Sequence, residues 1–211
     1  LKAITTLGDL QLSANNIYAH KDIASQNGAS IDIDATNLFS LDADQSVVAA
    51  GNIDLDAGQI IASANSLLSA DSTLMLDTST LGMTLAQLSG HDIALNSAAN
   101  INLNENVNAS GDINATATTS ITSAASTLIS STGSSRFVSD TLVMGAASKF
   151  EIGSDLTIDT AGAQSLATIK VGGDLDIDSG ATVAMNENVT VTGSVDIDAV
   201  EAVSLASAQT L

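Results

Sequence analysis

Twenty of the 211 residues are aspartate, and only Glu105, Glu151, Glu187 and Glu201 are glutamate. Carboxylates at fixed spacing can hold a divalent cation, or serve in pairs as the acid and base of a glycosidase. Here many alternate with apolar residues, as in Ile31-Asp32-Ile33-Asp34, Ile53-Asp54-Leu55-Asp56, Leu175-Asp176-Ile177-Asp178 and Val195-Asp196-Ile197-Asp198. On an extended chain such aspartates share one face. Asp32, Asp34, Asp54 and Asp56 form one candidate calcium patch, and Asp174, Asp176, Asp178, Asp196 and Asp198 form a second. Calcium takes about six to eight oxygens, more than a plain ladder supplies at any point, so binding is expected to be weak and of the millimolar, extracellular kind. The ordinary role of such a ladder is a solvated, solubilising face. No cofactor is required by this reading.

Other chemistry is poorly supplied. A uronate lyase needs clustered cations to neutralise its substrate, whereas Lys2, Lys21, Arg136, Lys149 and Lys170 are far apart in the sequence. A hydrolase needs a sugar platform, and the aromatic set is Tyr18, Phe39, Phe137 and Phe150, the three phenylalanines at positions expected to be core. His20 and His91 stand apart from any Ser or Cys motif and are expected at surface turns. Cysteine is absent, which removes thiolate nucleophiles, disulfides and cysteine-based metal sites. Gly172-Gly173-Asp174-Leu175-Asp176 is similar to the glycine-aspartate calcium repeats of secreted toxins, but it lacks their G-G-x-G-x-D spacing and nothing iterates at nine residues. Asn108, Asn114 and Asn188 match N-x-[ST], a frequent chance motif. The chain is expected not to be an enzyme.

A formal net charge of −19 disfavours nucleic acid and anionic lipid as partners. With 45% apolar residues the chain should fold, yet its apolar residues never run long enough for a membrane span. The preference for Asp over Glu argues against helices, because Asp is a poor helix former.

What must position these residues is a repeat. Apolar pairs recur at Leu10/Leu12, Ile31/Ile33, Ile53/Leu55, Leu74/Leu76, Ile93/Leu95, Ile113/Ala115, Phe137/Ser139, Leu156/Ile158, Leu175/Ile177 and Val195/Ile197, with spacings of 21, 22, 21, 19, 20, 24, 19, 19 and 20. Four residues after each pair opens stands a small residue, among them Ala14, Ala35, Ala57, Thr78, Ser97 and Thr141. Two residues before it, Gly8, Gly51, Gly111, Gly173 and Gly193 mark a tight corner, needed either for room or for an unusual φ. Further pairs follow at offsets 8 and 14, as at Ile101/Leu103 and Val107/Ala109 or Val183/Met185 and Val189/Val191. Three short strands per turn of about twenty residues describe an all-β, three-sided parallel β-helix of about ten coils. Parallel crossovers make it right-handed. The absence of proline fits, since every interior strand must donate its N–H to a neighbour.

Residues 1–211 read as one continuous segment. Ile4 falls in the last strand of an earlier turn, Val203-Ser204-Leu205 lies at offset 8 of the final one, and no polar cap precedes Leu211. Both ends are therefore expected to be uncapped, as in a piece of a longer shaft or a subunit that polymerises end to end. The polar run Ser130-Ser131-Thr132-Gly133-Ser134-Ser135-Arg136, where the spacing reaches 24, is expected to be an irregular coil or loop, either a plain corner insertion or a ligand-contact loop.

Gly51-Asn52-Ile53-Asp54-Leu55-Asp56-Ala57, Gly111-Asp112-Ile113-Asn114-Ala115-Thr116-Ala117 and Gly173-Asp174-Leu175-Asp176-Ile177-Asp178-Ser179 resemble the G-[DN]-[ILV]-x-[IL]-x-[AST] repeats of filamentous-haemagglutinin-like exoproteins of two-partner secretion systems. The resemblance covers nearly the whole chain. It implies a right-handed β-helical fibre, secreted or held at the bacterial surface, that serves adhesion, biofilm cohesion or cell-contact presentation. Partners would then be proteins or glycans of host or neighbouring cells, flanking β-helical coils or copies of itself. The asparagine-proline motifs of that family's secretion signal are absent, which fits a central shaft. The repeat defines no catalytic residue. Alternatives from other classes are a self-assembling filament or sheath subunit and a β-helical polysaccharide-active enzyme.

Overall fold

Extended backbone whose alternate residues are apolar has no buried partner within one turn, so each turn must lie on the next. The computed structural model describes residues 2–206 and shows this stacking throughout: a parallel β-solenoid of about ten coils. The chain end at Leu211 lies outside the described residues. Among the described residues there is no helix, hence none long and apolar enough to cross a membrane.

Three parallel ladders form the faces. The first opens each coil, at Leu10, Ile31, Ile53, Leu74, Ile93, Ile113, Ser135, Leu156, Leu175 and Val195. The second runs through Ile17, Phe39, Ile60, Met83, Ile101, Ile121, Leu142, Gln164, Val183 and Val203. The third runs through Ile4, Ile23, Val47, Leu68, Leu88, Val107, Ile129, Phe150, Ile169 and Val189. In the first three coils, faces one and two are single bent strands, Leu10–Ala19, Ile31–Leu41 and Ile53–Ala62. The offsets of 8 and 14 therefore mark true strands, and the strands at Ile4 and Val203 take the places expected of them.

The inward columns are almost wholly apolar and form one continuous core. Each fully buried Ile or Leu contributes roughly 1.5–3 kcal/mol. Phe39, Phe137 and Phe150 are all buried, as expected, and the rings of Phe137 and Phe150 pack at 4.7 Å.

The seventh coil corrects the expected register. Ile113 pairs with Ser135 and Ala115 with Phe137, so the coil opens at Ser135 and the spacings there are 22 and 21, with no stretch of 24. Ser139, and not Thr141, takes the small position. Ser130 to Arg136 is likewise no loop. Leu128–Ser131 and Ser135–Ser139 are ladder strands, and only residues 132–134 turn the corner. The error came from reading Ser135 as exposed. It is buried in an apolar column because its hydroxyl pairs with that of Ser131 at 2.8 Å, and the Ser131 hydroxyl reaches the Gly133 carbonyl.

The corner before the first face explains most of its glycines; Gly8 is the exception, with open space around it and no positive φ. The residues just ahead of the coils form a column in which, at most steps, a side-chain oxygen accepts the N–H of its counterpart in the next coil. Asp9 accepts from Ser30, Ser30 from Asn52, Asn52 from Thr73, Asp92 from Asp112, Asp112 from Ser134, Asp155 from Asp174 and Asp174 from Ser194. A Cβ on Gly111, Gly133, Gly173 or Gly193 would collide with the carboxylate of the Asp one coil earlier. None of these four glycines has a positive φ, so the requirement is for room. Gly173→Ala should then cost about 1–2 kcal/mol, the loss of the displaced Asp155 hydrogen bond. In a double-mutant cycle followed by urea unfolding, most of that cost should vanish in an Asp155→Ala background, whereas additive costs would contradict the clash.

Candidate functional site

The outward positions of the first face carry the acids in two columns. One runs Gln11, Asp32, Asp54, Met75, Ala94, Asn114, Arg136, Thr157, Asp176 and Asp196; the other runs Ser13, Asp34, Asp56, Asp77, Asn96, Thr116, Val138, Asp159, Asp178 and Asp198. Period-two alternation turns these residues outward, and coil stacking places each about 4.7–4.9 Å from the next. In the seventh coil Val138 takes the acid position of the second column, because that coil opens at Ser135, and Asp140 lies outside it.

Asp32, Asp34, Asp54 and Asp56 do lie together, and Asp77 joins them. Carboxylate oxygens of Asp54, Asp56 and Asp77 come within 4.8 Å of one another, the one such triad among the described residues. Asp34, Asp56 and Asp77 line an open groove of 340 Å³ with Thr36, Thr78 and Ser79. Asp77 and Asp159 stand outside the two candidate patches named from alternation, because Met75 and Thr157 take the neighbouring positions where the other patch coils carry a second Asp.

The other patch is also present, without Asp174. That residue belongs to the corner column, where its Oδ1 is engaged by the Ser194 N–H at 2.7 Å. Asp176, Asp178, Asp196 and Asp198 remain on the face, and Asp159, Asp178 and Asp198 border a groove of 380 Å³. Arg136 reaches Asp159 at 3.4 Å and offsets part of the charge.

The two patches carry the structure's raised carboxyl groups. Asp54 is raised above the ordinary carboxylate range by burial first, then by Asp56, Asp32 and Asp77. Burial and then Asp77, Asp34 and Asp32 raise Asp56; burial and then Asp178, Asp196, Asp198 and Asp159 raise Asp176. Two exposed charges about 5 Å apart repel by roughly 0.8 kcal/mol in water. One oxygen of Asp54 is buried with no hydrogen-bond partner. Chemically, the triad offers one oxygen from each of three carboxylates to a cation, whose remaining ligands would be water. Its carboxylates approach the roughly 5 Å separation at which a retaining glycosidase holds its pair, but the exposed aromatic ring, Tyr18, lies on the second face, stacked beside His20.

The remaining candidates sit at the surface. His20 pairs with Asp42 at 2.8 Å, and His91 with the Ser110 hydroxyl at 3.0 Å, both exposed. Three asparagines of the fifth coil tie it to the next coil: Asn102 and Asn108 accept from the hydroxyls of Thr122 and Ser130, and Asn106 accepts the Leu128 N–H. The chain matches no protein-family model, no curated protein and no solved structure.

A carboxyl whose folded pKa is raised stabilises the fold when protonated, and that contribution is lost as pH rises through the folded value. The acid face thus opposes folding at neutral pH. Melting temperature should rise as pH is lowered from neutrality through the raised values of Asp54, Asp56 and Asp176 toward the ordinary Asp value near 4, below which these groups add nothing more. At pH 7, Asp54→Asn or Asp56→Asn should stabilise by a few tenths to about 1 kcal/mol. Destabilisation by both substitutions would contradict this electrostatic picture.

Proposed function

We propose that this chain is a non-enzymatic shaft segment of a secreted or cell-surface fibrous adhesin of the filamentous-haemagglutinin-like kind. The observation that carries the reading is the uniformity of the solenoid: the same three ladders run from Ile4 to Leu205 with coil spacings between 19 and 22. Such a rod is stiff because every coil is hydrogen-bonded to its neighbours, and its length, on the order of 45–50 Å for ten coils, scales with coil number. The grooves beside its acid patches are open and lined by Asp, Thr and Ser interspersed with Ala, Gly and Val, a poor match to the enclosed clefts that bind small substrates. The acid face keeps a long apolar-cored rod soluble and sets it against partners that are neutral or cationic.

Calcium fits this reading as a weak extracellular ligand of the Asp54, Asp56 and Asp77 triad, relieving repulsion without supplying catalysis.

The shaft reading is tested by displaying the parent protein on bacterial cells and substituting the outward residues of one face at a time over these coils. Cell adhesion or aggregation should survive each set of substitutions, because a shaft contributes reach. Loss of adhesion mapped to one acidic cluster, or depolymerisation of a polysaccharide by the purified chain, would overturn it. Calcium at roughly 1–10 mM should raise the melting temperature of the purified segment, an effect that Asp56→Asn removes. An unchanged melting temperature would exclude the calcium site while leaving the shaft intact.

A further inference from the structure

Corners between the second and third faces come in different lengths, and their order repeats. Coils 2 and 3, opened by Ile31 and Ile53, have long corners in which Asp44 and Asn65 adopt positive φ. Coil 4 has a one-residue corner, Ala86, between strands Met83–Leu85 and Gln87–Gly90. Coil 5 turns through Asn104-Glu105-Asn106 into Val107. The sequence then starts again. Coils 6 and 7 have long corners with Ser126 and Ala147 at positive φ, coil 8 has the short corner at Ala167, and coil 9 turns through Asn186-Glu187-Asn188 into Val189. Ile31, Ile53, Leu74 and Ile93 are each 82 positions before Ile113, Ser135, Leu156 and Leu175, their structural counterparts.

The short corner leaves a gap. In coils 2 and 6 the N–H of the positive-φ residue, Asp44 or Ser126, donates to the corner carbonyl of Ala64 or Ala146 in the next coil. The equivalent N–H groups of Asn65 and Ala147 face coils 4 and 8, whose corners are too short to hold that carbonyl. A carboxylate from one coil further on fills the place. Glu105 Oε1 accepts the Asn65 N–H at 2.6 Å, and Glu187 Oε1 accepts the Ala147 N–H at 2.9 Å, each bond spanning 40 residues. Glu187 Oε2 also accepts the hydroxyl of Thr168, in the short coil, at 2.6 Å.

We propose that Glu105 and Glu187 are latches that tie each fourth coil across a short coil to the one before it, making a four-coil module of about 82 residues the structural unit of this solenoid. Two further observations support it. Glu187 is held below the ordinary Glu range, first by the Thr168 hydroxyl, then by the Ala147 N–H, with Lys149 adding to both against a smaller effect of burial. Ala147 keeps a left-handed conformation that costs a Cβ-bearing residue about 1–2 kcal/mol, so something must hold it there.

Amide hydrogen exchange read residue by residue tests the latch. Glu187→Ala should accelerate exchange at Ala147 by about tenfold, the loss of one charge-assisted hydrogen bond, and leave Asn65 unchanged. Glu105→Ala should do the reverse. Glu187→Gln, which keeps an acceptor oxygen at the same reach, should restore much of the protection at Ala147. Unchanged exchange at both amides, or equal acceleration at both from either substitution, would overturn the proposal, since the first removes the latch and the second reports only global loosening.

Discussion

Everything in this molecule depends on backbone hydrogen bonding between coils in register. A coil of about twenty residues buries nothing by itself. It becomes stable only when each N–H and C=O of its three strands meets a partner in the coils on either side, which brings the inward Ile, Leu and Val into columns. Because alternate residues face opposite ways, one register decision fixes which side chains are core and which are solvent. The acid columns, the corner acceptors and the core are three readings of the same constraint.

The corners are where the constraint is hardest to meet, since strands end there and their polar groups lose regular partners. Three devices supply the missing partners. Asp, Ser or Asn before the first face reaches the next coil, with glycine clearing the space. Hydroxyls at the small inward positions return to corner carbonyls, as Ser139 does to Thr141 and Thr160 to Gly162. Glutamate crosses two coils where a corner is too short. The acidity that gives the chain its net charge thus divides into carboxylates that complete the backbone and carboxylates on the first face that repel one another. The first kind stabilises the rod. The second opposes folding at neutral pH, as the raised Asp54, Asp56 and Asp176 carboxyls record.

The fold was legible because its two periods, two and about twenty, are both written in apolar residues. Ile93, Ile101 and Val107 mark three strands without help from structure. Coil 7 was misread because Ser135 is polar and Phe137 is not: a shift of two preserves the inside and outside alternation, so the pattern itself gave no warning. The acid face was legible as a column, while Asp174 was misplaced on it because sequence alone does not separate a corner residue from a strand residue. Glu105 and Glu187 were hidden for another reason. Their partners lie two coils away, beyond the nearest-neighbour repeat, and only the recurrence of Asn-Glu-Asn-Val after 82 positions carried the signal.

Equivalent positions climb one straight column, one coil at a time. The chain has no native cysteine, so spin labels can be placed cleanly on Asp34, Thr116 and Asp198, three members of one outward column, each four coils from the next. Pulsed electron resonance should return about 19 Å for each adjacent pair and about 38 Å for the outer pair, four and eight strand spacings. Unequal adjacent distances, or an outer distance well short of their sum, would contradict the in-register solenoid.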